Sequence, residues 1–244
     1  MIYAIVIGRK GSEGFPGKNV YPVIGHPLAY YPMKAATMSQ SVDKVYLSTD
    51  DEKLMDLGRK INIEIIERPL ELCTKEALGE DVFVHGYYET KKRNENKEIE
   101  MMILLFCNAP MVTSQMIEKG ITILRERQDI DSCVSVSRYN MWSPLRARKI
   151  GDDGLLHPFI PFETFGNPAT LNCDRDSQGD VWFADMSVSV VRPQCLENIK
   201  DGLLPQKWMG QKIYPLKQTC GLDVDYEWQL PQVEYCLLKM QKNP

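Results

Sequence analysis

The stretch "IYAIVIGRKGSEGFPGKN", residues 2–19, decides the fold: six apolar residues run without interruption into a loop holding four glycines, two lysines and an arginine. A short, continuous apolar run is a strand buried on both faces, which is the condition of a parallel sheet covered by helices. Four further runs repeat the pattern, "KVYLST" (44–49), "IEIIE" (63–67), "MMILLFC" (101–107) and "SCVSVS" (132–137). Amphipathic segments at 28–40, 51–60, 79–92 and 114–127 fall between them and predict helices, the second opening on Asp50 and Asp51, which suit a helix N-terminus. The alternation predicts an α/β, doubly wound, mainly parallel sheet.

From residue 139 to 180 the rhythm breaks. This stretch is aromatic, rich in Pro and Gly, hairpin-like around "GDDG" and without helical period, as expected of a functional loop or a contact between subunits. The run "VWFADMSVSVV" (181–191) predicts a strand returning to the main body, and "LDVDYEWQLPQVEYCLLKMQK" an acidic loop leading into a last helix. At 244 residues the chain fits one large domain, 1–244, carrying 139–180 as an excursion.

A net charge of −4 gives no broad field for nucleic acid or an anionic membrane, so any phosphate site must be local. No run approaches the ~20 apolar residues of a membrane span, and "MIYAIVIG" lacks the cationic lead of a signal peptide; a soluble, cytoplasmic protein is expected. Seven scattered cysteines without a C-x-x-C pair suggest neither a disulfide framework nor a zinc site. His26, His85 and His157 fit no metal-ligand spacing.

The glycine loop has the spacing G-x-x-G-x-x-G (Gly8, Gly11, Gly14), not the G-x-G-x-x-G of a dinucleotide site. Nor is it a Walker loop: five residues separate Gly11 from Gly17, and Lys18 is followed by Asn19 where a hydroxyl would hold magnesium. It reads either as a flexible connector or as an anion nest for a polyphosphate, with Arg9, Lys10 and Lys18 as its cations. Asp223 and Asp225 are likewise open to two readings. In an extended segment both carboxylates point the same way and share a hard divalent cation; alternatively they cap the final helix.

Together these blocks resemble the nucleotide-sugar cytidylyltransferases that activate sialic acid and related nine- and eight-carbon acids. Arg9, Ser12, Pro16, Lys18 and Asn19 match the family's N-terminal signature, although Lys10 and Glu13 stand where Gly and Lys are usual. "STDDEKL", "ERPLELCT" and "GLDVDYEWQL" match its later blocks, in the family's order. The resemblance implies a Rossmann-like nucleotidyltransferase fold and transfer of CMP from CTP to a sugar-acid hydroxyl, with pyrophosphate leaving. It implies Mg²⁺ on Asp223 and Asp225, catalysis by Arg9, Lys18 and Asp223, and nucleotide contacts from Gly8, Arg9, Ser12, Lys18, Asn19, Arg68 and Asn108. It further implies a homodimer in which the 139–180 arm reaches the partner and offers Arg146 and Arg175 to the acid, with Asp185 beside the acceptor. "FCNAP", Gly79 and the Asp185-Met186 pair depart from the family's usual residues, which points to a different acid. Competing readings are a related nucleotidyltransferase acting on another acid or a sugar phosphate, and a non-catalytic nucleotide-sugar sensor.

Overall fold

In the computed structural model, which describes residues 1–95, 97–174 and 178–242, the first apolar run is strand β1 (Ile2–Ile7), with all six residues buried. Its even residues Ile2, Ala4 and Val6 join one core and its odd residues Tyr3, Ile5 and Ile7 another, so each face of the strand is covered. The strands that follow are β2 (Pro22–Val23), β3 (His26–Pro27), β4 (Lys44–Thr49), β5 (Glu64–Glu67), β6 (Met101–Phe106), β7 (Ser132–Arg138), β8 (Arg148–Ile150), β9 (Leu156–Pro158), β10 (Trp182–Val191) and β11 (Ile213–Gln218). The helices are α1 (Tyr30–Thr37), α2 (Glu52–Lys60), α3 (Gly79–Arg93), α4 (Ser114–Glu126), α5 (Pro193–Glu197) and α6 (Leu230–Lys242).

Seven strands form one sheet in the order β11-β7-β10-β6-β1-β4-β5, with β10 alone antiparallel to its neighbours. The chain winds outward from β1 to β4 and β5, then crosses to β6 on β1's other side. That reversal opens a crevice at the carboxyl ends of β1 and β6, where open α/β sheets take their ligands. Met33 of α1, Leu54 of α2 and Ile121 of α4 cover one face; Phe83 and Tyr87 of α3 with Leu196 of α5 cover the other. A third core, with Phe15, Leu222, Val224, Leu230 and Val233, binds the glycine loop to the last helix.

Helix α1 is shorter than the predicted 28–40. Ala29 N–H is spent on the Asn19 carbonyl, and after Thr37 the chain turns so that Ser41 can bond Glu118. Strand β11 was not predicted: "IYPLKQ" has a proline and a lysine and reads as loop, yet as an edge strand it tolerates both. The "GDDG" turn does close a hairpin, β8 with β9, with Gly154 at φ +75°. The arm leaves large apolar side chains exposed, among them Trp142, Ile150, Leu156 and Phe159. The seven cysteines are free, and among the described residues no helix is long and apolar enough to cross a membrane.

Candidate active site

Gly8 ends β1 at the crevice. A Cβ there would lie 2.6 Å from Cys107 Sγ, so this glycine serves the close approach of the β1 and β6 ends. Gly11 and Gly17 take the left-handed conformation, both at φ +77°, and Gly17 leads into a 3-10 turn that buries Lys18 and Asn19. Gly14 brings the loop against the chain's C-terminal part: its added Cβ would stand 2.6 Å from the Asp225 carbonyl oxygen. Asp50 pins the loop from below by accepting from Lys10 N–H at 2.8 Å, while its neighbour Asp51 caps α2.

Arg68 forms the floor. It is 9% exposed, and its guanidinium donates to the carbonyls of Ser48, Gly8 and Leu72 at 2.8, 3.3 and 3.5 Å. Its Nε has no partner, and among the described residues no carboxylate pairs with it. Burial pulls its pKa down, with Asp50 opposing and Arg9 adding to the shift. A buried cation without a counter-ion is costly to keep and electrostatically ready for an anion.

Lys18 is held differently, its Nζ 2.6 Å from Asp225 Oδ1. Asn108 joins the end of β6 to the Asp223–Asp225 segment from both sides: its Nδ2 donates to Val224 O at 3.1 Å and its carbonyl accepts from Val224 N–H at 2.8 Å. All seven residues expected to hold nucleotide, Gly8, Arg9, Ser12, Lys18, Asn19, Arg68 and Asn108, line one cleft of ≈ 390 Å³, together with Glu13, Asp225 and Tyr226.

The segment 221–226 divides this cleft from a second one of ≈ 410 Å³, walled by Tyr139, Met141, Trp142, Phe183 and Trp228. Asp225 lines the first cleft and Asp223 the second, while the Asp223 carboxyl hydrogen-bonds Asn108 and feels the charges of Asp225 and Lys18, all of the first cleft, so the two aspartates stand together at the boundary between the clefts. They act on each other. Burial, and then the charge of Asp225, raise the Asp223 pKa, against smaller downward contributions that include Lys18 and a hydrogen bond with Asn108. Nor do these aspartates cap the last helix: Gln229 Oε1 does so, accepting from Asp225 and Tyr226 N–H. Two hard, mutually repelling carboxylates fit a divalent cation. Because no group of three or more His, Cys, Asp or Glu converges among the described residues, its remaining ligands would be substrate and water.

Asp185, expected beside the acceptor, lines the second cleft, with its carboxylate engaged by neighbours. It is 4% exposed and takes hydrogen bonds from Ser135, Ser137, Gln218 and the Ser187 N–H. It sits in a bulge of β10 where Met186 adopts φ +61°, a conformation the family's usual glycine would reach without strain. Arg146 lines neither cleft and donates to the Cys173 carbonyl within the arm; Arg175 lies outside the described residues. The aromatic wall was not foreseen as a site. Its signal was present in the aromatic composition of the excursion and in "DYEW".

The cytidylyltransferase family profile matches residues 3–141. N-acylneuraminate cytidylyltransferase of Escherichia coli O18:K1:H7 is 28% identical over 139 residues, 57% of this chain and 32% of that protein. N-acylneuraminate cytidylyltransferase A of Danio rerio is 23% identical over 98% of this chain and 51% of its own length. The chain thus spans at most about half of these curated relatives. Among solved structures, CMP:2-keto-3-deoxy-manno-octonic acid synthetase complexed with CTP superposes with a TM-score of 0.68 at 14% identity, covering 98% of this chain and 99% of that one. A 4-diphosphocytidyl-2C-methyl-D-erythritol synthase superposes at 0.63 with 8% identity, covering 97% of each chain. These likenesses establish a shared Rossmann-like nucleotidyltransferase fold, and with more than half of its length matched by the family profile, the chain belongs to the cytidylyltransferases, a family of nucleotidyltransferase enzymes.

Proposed function

We propose that this protein transfers CMP from CTP to a hydroxyl of an acidic sugar, a sialic acid or another nonulosonic or ulosonic acid, and releases pyrophosphate. The observation that carries the reading is the buried, unpaired Arg68 guanidinium at the floor of a cleft lined by all seven expected nucleotide residues. The acidic-sugar class is supported by the relatives, named for N-acylneuraminate, and by the CTP-complexed octonic acid synthetase.

Phosphoryl transfer asks the protein mainly for positioning and charge. Arg9, Lys18 and Arg68 present cations to the triphosphate, with Lys18 exchanging Asp225 for phosphate oxygens. Mg²⁺ held by Asp223 and Asp225 would neutralise charge on the α-phosphate and the departing pyrophosphate. The acceptor enters from the aromatic cleft, which meets the nucleotide cleft at the 221–226 segment. That cleft has no Lys or Arg in its described lining, so the acid's carboxylate needs a cation from elsewhere. We assign this to a homodimer in which the 139–180 arm of the partner brings Arg146 and Arg175, and the exposed apolar residues of the arm become interface.

The test is pyrophosphate release from CTP, UTP, GTP and ATP with Mg²⁺ and a panel of acidic sugars. Release confined to CTP with an acidic sugar is expected. Ligand-dependent thermal shift without turnover would replace the enzyme reading with that of a sensor, and release with a sugar phosphate instead would replace the acceptor.

A further inference from the structure

Glu13 lines the nucleotide cleft, an acid in a place where a triphosphate must lie. The charges around it are poorly matched to that cargo. Of the three cations in the lining, Lys18 is paired with Asp225, which leaves Arg68, held by three carbonyls with its Nε unpartnered, and Arg9, its Nη1 on the Gly11 carbonyl, against the carboxylate of Glu13 and a polyphosphate's several charges.

A further cation stands at the mouth. Lys75 Nζ lies 3.9 Å from Glu13 Oε1. It belongs to the 73–78 segment between the Leu70–Leu72 turn and α3, and Leu72, Ala77 and Gly79 on either side of it form the wall facing the glycine loop. The Glu13–Lys75 pair therefore bridges the two walls. With side chains 74% and 63% exposed and a long N···O separation, it adds almost nothing to stability and opens easily. Neither Lys75 nor Lys10 is itself in the lining, but among the described residues Lys10 makes no ion pair to a residue that is, its backbone N–H being fixed by Asp50.

We propose that Lys75 is a triphosphate-binding residue, kept at the cleft mouth by Glu13 and transferred to phosphate oxygens when nucleotide arrives. The proposal rests on CTP being the nucleotide.

The experiment is calorimetric titration of the whole protein with CTP and with CMP, both with Mg²⁺. Because CMP lacks the outer phosphates, Lys75→Ala is expected to weaken CTP by about fivefold to tenfold and CMP by less than about twofold, the loss of one charge-assisted contact. Lys75→Arg should keep CTP affinity, and Glu13→Gln should raise it. Unchanged CTP affinity in Lys75→Ala, or equal weakening of CTP and CMP, overturns the proposal. If wild type still releases pyrophosphate from CTP in that case, the functional reading stands alone; failure of wild type to bind CTP removes both.

Discussion

The two clefts beside the 221–226 segment are nearly equal in volume and opposite in chemistry. One is walled by a glycine loop with Arg9, Lys18 and Arg68; the other by two tryptophans, a tyrosine and a phenylalanine, with aspartates as its charges. Asp225, in the lining of the first, is held by a lysine, whereas Asp223, in the lining of the second, is pushed toward its protonated form by burial and by its neighbour. Two residues of one motif therefore do different electrical work. The first cleft offers charge suited to a polyanion; the second offers apolar surface suited to the face of a sugar ring, where stacking tolerates variation in the substituents.

Substitution can break that comparison at its strongest point. Asp225→Ala or Lys18→Ala should lower turnover of CTP by about 10³-fold, the scale of losing a preorganised charge, with circular dichroism unchanged. Near-normal pyrophosphate release by Asp225→Ala would remove it from the machinery. Gly8→Ala forces a methyl against Cys107 and should cost about 1–3 kcal/mol in a denaturant titration, the usual range for overpacking. On the acceptor side, Trp228→Ala should raise KM for the sugar acid by about tenfold while KM for CTP moves less than about twofold, consistent with losing one aromatic platform. Equal effects on both substrates would merge the two clefts into one.

Stability separates the aspartates in sign. A carboxylate whose pKa is raised by folding opposes the fold at neutral pH, above both its folded and unfolded values. Asp223→Asn should therefore raise the melting temperature, and Asp225→Asn, which strands a buried Lys18, should lower it. The smallest effect is at the β10 bulge. Met186→Gly relieves a left-handed methionine but loses its packing on the second core and loosens the unfolded chain, so the opposing contributions offset and the denaturation midpoint should shift by the equivalent of less than about 1 kcal/mol.

The parallel sheet and the glycine loop were legible because buried strands leave uninterrupted apolar runs, and β1 is such a run. Strand β11 escaped because an edge strand can carry Pro215 and Lys217. The seven residues expected to hold nucleotide come together at one cleft because each follows a strand that ends at the same crevice or packs against one that does. Side-chain direction was harder to read. Asp223 and Asp225 would share a side in a regular strand, but 221–226 pairs with no strand, its backbone being tied instead to Asn108 and Gln229. Asp185 looked available because two serines of β7 and Gln218 of the unpredicted β11, distant in sequence, are what occupy it.

The contact between Lys18 and Asp225 joins residues 207 positions apart, and Gly14 rests on the Asp225 carbonyl beside it. During synthesis this cleft therefore stays incomplete until the segment around Asp225 has emerged from the ribosome and folded back on the glycine loop. A chain cut before Gly221 keeps the glycine loop but loses the partners of Lys18 and Gly14, and with them one wall of this cleft.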